Sequence, residues 1–123
     1  MNPQIKERLL KALDTYPKTK GNLRDDKGYC CLGVVCDLYQ KEHPEAFWEQ
    51  ESDGVYMFHT SPEDKGGEYT FLPDKVNEWA GFKSRSILID FRRKNSGRVD
   101  SLVDLNDRTS TFTRIKNAIR LYF

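Results

Sequence analysis

Three thiols, two imidazoles, a basic run and a short acidic-amide motif are the groups in this sequence whose types and spacing could do chemistry. The thiols fall within YCCLGVVCDLY, Tyr29 to Tyr39. Zinc sites pair cysteines two to four residues apart and then add a second pair. Here Cys30 and Cys31 are adjacent and Cys36 follows five residues after Cys31, so the pattern forms no chelate. A nucleophilic thiol would gain from a helix N-terminus, where the dipole stabilises thiolate. It would also need a base, and His43 and His59 sit in no recognisable pairing motif. Reduced cysteine is a small, usually buried hydrophobe. On a helix, Cys31, Leu32, Val34, Val35, Cys36, Leu38 and Tyr39 leave only Gly33 and Asp37 as a non-apolar strip, one above the other. The stretch therefore reads as core. Gly33 marks a close crossing of another backbone, and Asp37 needs a donor, such as Arg24.

The polar candidates lie towards the C-terminus. Asn106 and Asp107 stand at a break between two helical segments. They fit an Asx turn, or a ligand mouth where Asn106 reads a base or amide edge and Asp107 a hydroxyl. Asp100, Asp104 and Asp107 would share one face of a helix, a row that is either solvated or able to attract a hard cation. The basic run Lys83, Arg85, Arg92, Arg93, Lys94 and Arg98 offers forked donors of the geometry phosphate prefers. Trp79 and Phe82 lie close in sequence and could stack a base. No phosphate-binding glycine loop, Ser-His-Asp order or zinc-hydrolase motif is present in the sequence.

These groups must be positioned by a small scaffold. With 123 residues, the chain fits one domain, 1–123. Hydrophobic residues make up 37% and charged residues 32%, which predicts a limited core. Asn2-Pro3 caps a first helix with Ile5, Leu9, Ala12, Leu13 and Tyr16 on one face, ended by Pro17 and Gly21. AFWEQ, GVYMFHT and GEYTFL read as strands, joined by a polar SPEDKGG loop. Leu72-Pro73-Asp74 opens a short helix closed by Gly81. SILIDF is a fourth strand, and VDSLVDLND a helical turn or two. Thr111 or Ser110 caps a last helix bearing Phe112, Ile115, Ile119 and Tyr122. The expected fold is α+β: about four helices around a small antiparallel sheet.

Charge is segregated along the chain. Residues 1–40 carry seven basic and five acidic side chains, 41–82 carry three and ten, and 83–123 carry ten and four. The segment charges are thus +2, −7 and +6, which either pair internally or orient a charged partner. A pI near 7.7 argues against duplex nucleic acid, whose binding domains usually exceed about 9. No run approaches the roughly 18 apolar residues of a membrane span. A charged N-terminus and an odd number of cysteines point to reduced thiols in a cytoplasm.

Four ordered blocks carry a resemblance. They are Cys30 to Leu38; Leu72, Pro73, Val76, Trp79 and Gly81; Leu105, Asn106 and Asp107; and Thr111, Phe112, Ile115 and Ile119. Together with MNPQIK they make the chain similar to a family of small proteins of tailed bacteriophages and prophages, with CCLGVxCDL, LPxxVxxWxG and LND blocks. The chain departs from that pattern after LND, where RTST replaces a glycine-containing turn, and in a last helix that is basic rather than acidic. The resemblance implies a phage accessory protein in the host bacterial cytoplasm, by analogy one with a counter-defence role. Joined to the basic run, it leads to an expected function: non-catalytic capture of a phosphate-bearing, nucleotide-like ligand by Arg92, Arg93, Lys94, Arg98, Asn106, Asp107, Trp79 and Phe82. No cofactor, metal or membrane partner is expected, and homo-oligomerisation is left open. The alternatives are a protein–protein inhibitor of a host enzyme, warranted by the segregated charge, and a small hydrolase using Asp107 or a cysteine.

Overall fold

The structure, a computed structural model, describes residues 1–82 and 101–123 and the backbone of segments 88–90 and 99–100. Helix α1 spans Pro3–Ala12; Asn2 caps it, its side chain accepting from the amides of Gln4 (2.9 Å) and Ile5 (3.2 Å). Strands β1 (Arg24–Asp25) and β2 (Gly28–Tyr29) form a minimal antiparallel pair. Helix α2, Cys31–Glu42, follows at once. Strands β3 (Phe47–Gln50) and β4 (Tyr56–His59) make a second antiparallel pair, with Phe47 opposite His59 and Gln50 opposite Tyr56. Helix α3, Asp74–Ala80, ends at Gly81, whose φ of 80° is the left-handed conformation a helix stop favours. Strands β5 (Leu88–Asp90) and β6 (Val99–Ser101) pair antiparallel, and helices α4 (Leu102–Arg108) and α5 (Thr113–Tyr122) close the chain.

The result is α+β, a single small domain with five helices and three two-stranded sheets among the described residues. The expected single sheet is thus divided. GEYTFL supplies only one bridge, between Glu68 and Phe58. After that bridge the Tyr69 carbonyl turns to accept from Leu23 N–H at 2.6 Å, which takes the chain off the β4 edge. Asp100 lies in β6, before α4 begins, so Asp100, Asp104 and Asp107 do not form one helical row. The last helix is capped not by Thr111 or Ser110 but by Phe112, which makes no side-chain capping bond and is buried. Burial of that ring, at roughly 1.5–3 kcal/mol, outweighs the cap of about 1 kcal/mol that a hydroxyl would give.

Helix α2 is the centre of the core and touches α1, α3, α4 and β2. Its residues Cys31, Leu32, Gly33, Val34, Val35, Cys36, Leu38 and Tyr39 are all buried. Gly33 lies directly beneath Leu23. A Cβ there would sit 1.8 Å from the Leu23 carbonyl oxygen, so only glycine admits the crossing. The buried start of α2 has its amides satisfied from two sides. Cys30 Sγ accepts from Gly33 N–H at 3.4 Å, and Asn106 Oδ1, from α4, accepts from Cys31 N–H at 3.1 Å.

Candidate functional site

The three thiols are interior and free, with Cys30 5%, Cys31 1% and Cys36 0% exposed. Burial pushes the Cys30 thiol up to about 11 and holds Cys31 and Cys36 well above the usual thiol range. Desolvation outweighs the helix N-terminus, so the thiols are protonated packing groups. The imidazoles are engaged elsewhere, His43 on the Tyr39 carbonyl and His59 between the Asp64 carbonyl (2.6 Å) and Glu49 (2.9 Å). Among the described residues no group of three or more His, Cys, Asp or Glu could hold a metal ion.

The polar candidates read from the sequence are dispersed. Asn106 is 1% exposed and uses both ends of its amide on backbone, accepting from Cys31 and donating to the Thr19 carbonyl at 3.0 Å. Asp107 accepts from Gly21 N–H at 2.9 Å and pins that loop to α4. Trp79 donates its indole N–H to Glu42 at 2.9 Å and packs edge-on to Tyr39. Phe82 is buried against Phe123. Arg92, Arg93, Lys94 and Arg98 lie outside the described residues.

A different cluster brings charge and aromatic surface together. Asp25 Oδ1 accepts from the amides of Lys27 and Gly28 and so tightens the β1–β2 turn. That turn sets Arg24 opposite Tyr29. The β3–β4 register turns Trp48 and Tyr56 to the same side, their ring centroids 6.4 Å apart. The Arg24 guanidinium then lies 4.0 Å from the Tyr56 ring centroid, 4.9 Å from Tyr29 and 5.5 Å from Trp48. Each such cation–ring contact contributes about 0.5–2 kcal/mol. Tyr16 packs edge-on to Tyr29 at 5.0 Å.

Asp37 organises the wall of this cluster. It accepts from Tyr16 O–H at 2.5 Å and from Trp48 Nε1–H at 3.2 Å. Its donors are therefore these two rings and not Arg24. Lys41, one helical turn further along α2, donates to the Tyr16 oxygen at 3.1 Å. Burial, reinforced by the Asp37 carboxylate, keeps the Tyr16 phenol well above its ordinary range and raises that of Tyr29, so both are neutral at physiological pH. Arg24 makes no hydrogen bond or ion pair with any described residue. Its cation is met by ring faces, and among the described residues its five in-plane N–H donors are unspent. The arrangement can seize an oxyanion beside a flat, aromatic wall. Sequence offered Arg24 only as a donor to Asp37; Trp48 and Tyr56 reach it through the packing of two separate hairpins, and Tyr16 through Asp37 of α2.

No helix among the described residues is long and apolar enough to cross a membrane. A family model described as "Domain of unknown function (DUF8296)" matches residues 1–123. No curated protein and no solved structure gave a significant match.

Proposed function

We propose that this chain, which belongs to the DUF8296 family, is a binding protein that captures a phosphate-bearing, nucleotide-like ligand without turning it over. The observation that carries the reading is Arg24: a guanidinium framed by Tyr29, Trp48 and Tyr56, with its N–H donors unspent among the described residues. Phosphate is the group such a fork takes best, and the half-buried rings around it give the ligand an aromatic border. Arg92, Arg93, Lys94 and Arg98, expected from the sequence to hold the same ligand, lie outside the described residues. The interior, protonated thiols support binding over nucleophilic turnover. The biological setting we attach to this is a phage accessory, counter-defence role in the host bacterial cytoplasm.

The test is calorimetric titration of the chain with ADP-ribose and with a panel of cyclic nucleotides. The wild type should bind one of these and return it intact after prolonged incubation. Arg24→Gln should weaken binding at least tenfold, the worth of about 1.5–3 kcal/mol for a charged hydrogen bond, without changing the far-ultraviolet dichroism. Unchanged affinity in Arg24→Gln, or hydrolysis of the bound nucleotide, contradicts the reading.

A further inference from the structure

Among the described residues, backbone pairing in the β3–β4 hairpin leaves one edge open. Glu51 N–H donates to the Val55 carbonyl at 2.8 Å, which fixes that pair as a bonded one. Bonded and non-bonded pairs alternate in an antiparallel ladder. Glu49 with Met57 and Phe47 with His59 are therefore bonded pairs, and Trp48 and Gln50 turn their N–H and C=O groups away from β4. The far side of β4 obeys the same alternation: Phe58 exchanges backbone bonds of 2.9 and 3.0 Å with Glu68. That edge is closed. On β3 the outward amides and carbonyls of Trp48 and Gln50 meet no backbone partner among the described residues.

The side chains along this edge state what would fit it. Phe47 is 37% exposed, and Glu49 and Gln50 are exposed as well. Tyr69 lies on the other side, beyond β4 and one residue past the Glu68–Phe58 bridge, and is held above its ordinary phenol value by desolvation and by the nearby carboxylates of Glu51, Asp53 and Glu49. The edge belongs to the segment of net charge −7. A second copy of β3 suits it less, because the antiparallel register that joins Trp48 to Gln50 sets Glu49 against Glu49, and like charges directly opposite destabilise a strand pair.

We infer that the outer edge of β3 docks an extended, lysine- or arginine-rich segment of a partner protein by strand addition, with basic side chains at alternate positions alongside Glu49 and Glu51. Main-chain bonds to Trp48 and Gln50 would supply affinity, and the carboxylates would select charge. This surface is independent of Arg24: it uses the backbone of Trp48, whereas the nucleotide reading uses its ring.

The test uses a labelled, acetylated and amidated nonapeptide alternating lysine and threonine, read by fluorescence anisotropy at low salt. Gln50→Pro deletes the outward N–H while leaving the inner ladder intact, as proline is tolerated at sheet edges. It should weaken the peptide at least tenfold, whereas Gln50→Ala should bind like wild type. A glutamate–threonine peptide, and a lysine peptide N-methylated at alternate backbone amides, should each bind at least tenfold more weakly. Arg24→Gln should leave peptide affinity unchanged, so loss of the nucleotide reading would not mimic loss of this one. Equal binding by Gln50→Pro, equal binding of the methylated or the acidic peptide, or no binding of the lysine peptide would overturn the proposal. So would a dimer of this chain, seen by sedimentation, that Gln50→Pro dissolves.

Discussion

Gly33 shows how much one residue can announce by its type. A glycine inside an otherwise apolar helix has to be there for space, and that space is taken by the Leu23 carbonyl. Gly33→Ala should cost about 3 kcal/mol or more in urea denaturation, because backbone rather than a yielding side chain occupies the site. The cysteines were legible for a similar reason, since their adjacency suits packing and not chelation. Asp37 was legible only as a need for donors. That Tyr16 and Trp48 meet it depends on contacts 21 and 11 residues away in sequence. His59 gave no signal at all. Its two ring nitrogens face a carbonyl and a carboxylate, both acceptors, so only the imidazolium satisfies both. Burial works against that charge, but the Asp64 carbonyl and Glu49 outweigh it and raise the pKa above 6.5. A group whose pKa is raised on folding stabilises below its unfolded value and ceases to do so as pH rises through the folded value. Thermal stability should therefore decline as pH rises from the ordinary imidazole value of about 6.5 through the raised folded value, and His59→Gln should flatten that slope in scanning calorimetry.

At the scale of elements, two helix boundaries followed local chemistry, whereas α1 ends at Ala12, ahead of Pro17 and Gly21, and α5 starts without its expected hydroxyl cap. Asn2-Pro3 starts α1, and Gly81 stops α3, because caps act within one turn. Strands were harder. GEYTFL has the composition of a strand, yet Tyr69 answers Leu23, a partner 46 positions earlier, and the ladder ends after one bridge. Asn106 makes the same point from a helix. Its place near the end of α4 was readable, but its function there, joining Cys31 to Thr19, spans 75 and 87 residues. Removing it leaves a buried amide at the start of α2 and a buried carbonyl without their partner. Asn106→Ala should destabilise the chain by about 2–4 kcal/mol in denaturant titration, consistent with about 1–3 kcal/mol for each group left unsatisfied.

Over the whole molecule, part of the segregated charge pairs between segments, Arg8 with Glu42 and Lys116 with Asp14. The acidic middle segment supplies the open β3 edge, while Arg24, from the N-terminal third, carries a cation into an aromatic frame built from three other elements. Neither surface could be read before two hairpins and a helix were placed together. The basic segment that sequence favoured lies outside the described residues, and the described geometry rests on Arg24. The most direct measurement is a proton–nitrogen correlation spectrum of the Arg24 Nε–H, recorded while ADP-ribose is titrated in. Capture by the guanidinium predicts a progressive downfield shift and slowed solvent exchange at Arg24, saturating with the calorimetric isotherm. A saturating isotherm that leaves the Arg24 resonance unmoved would contradict it.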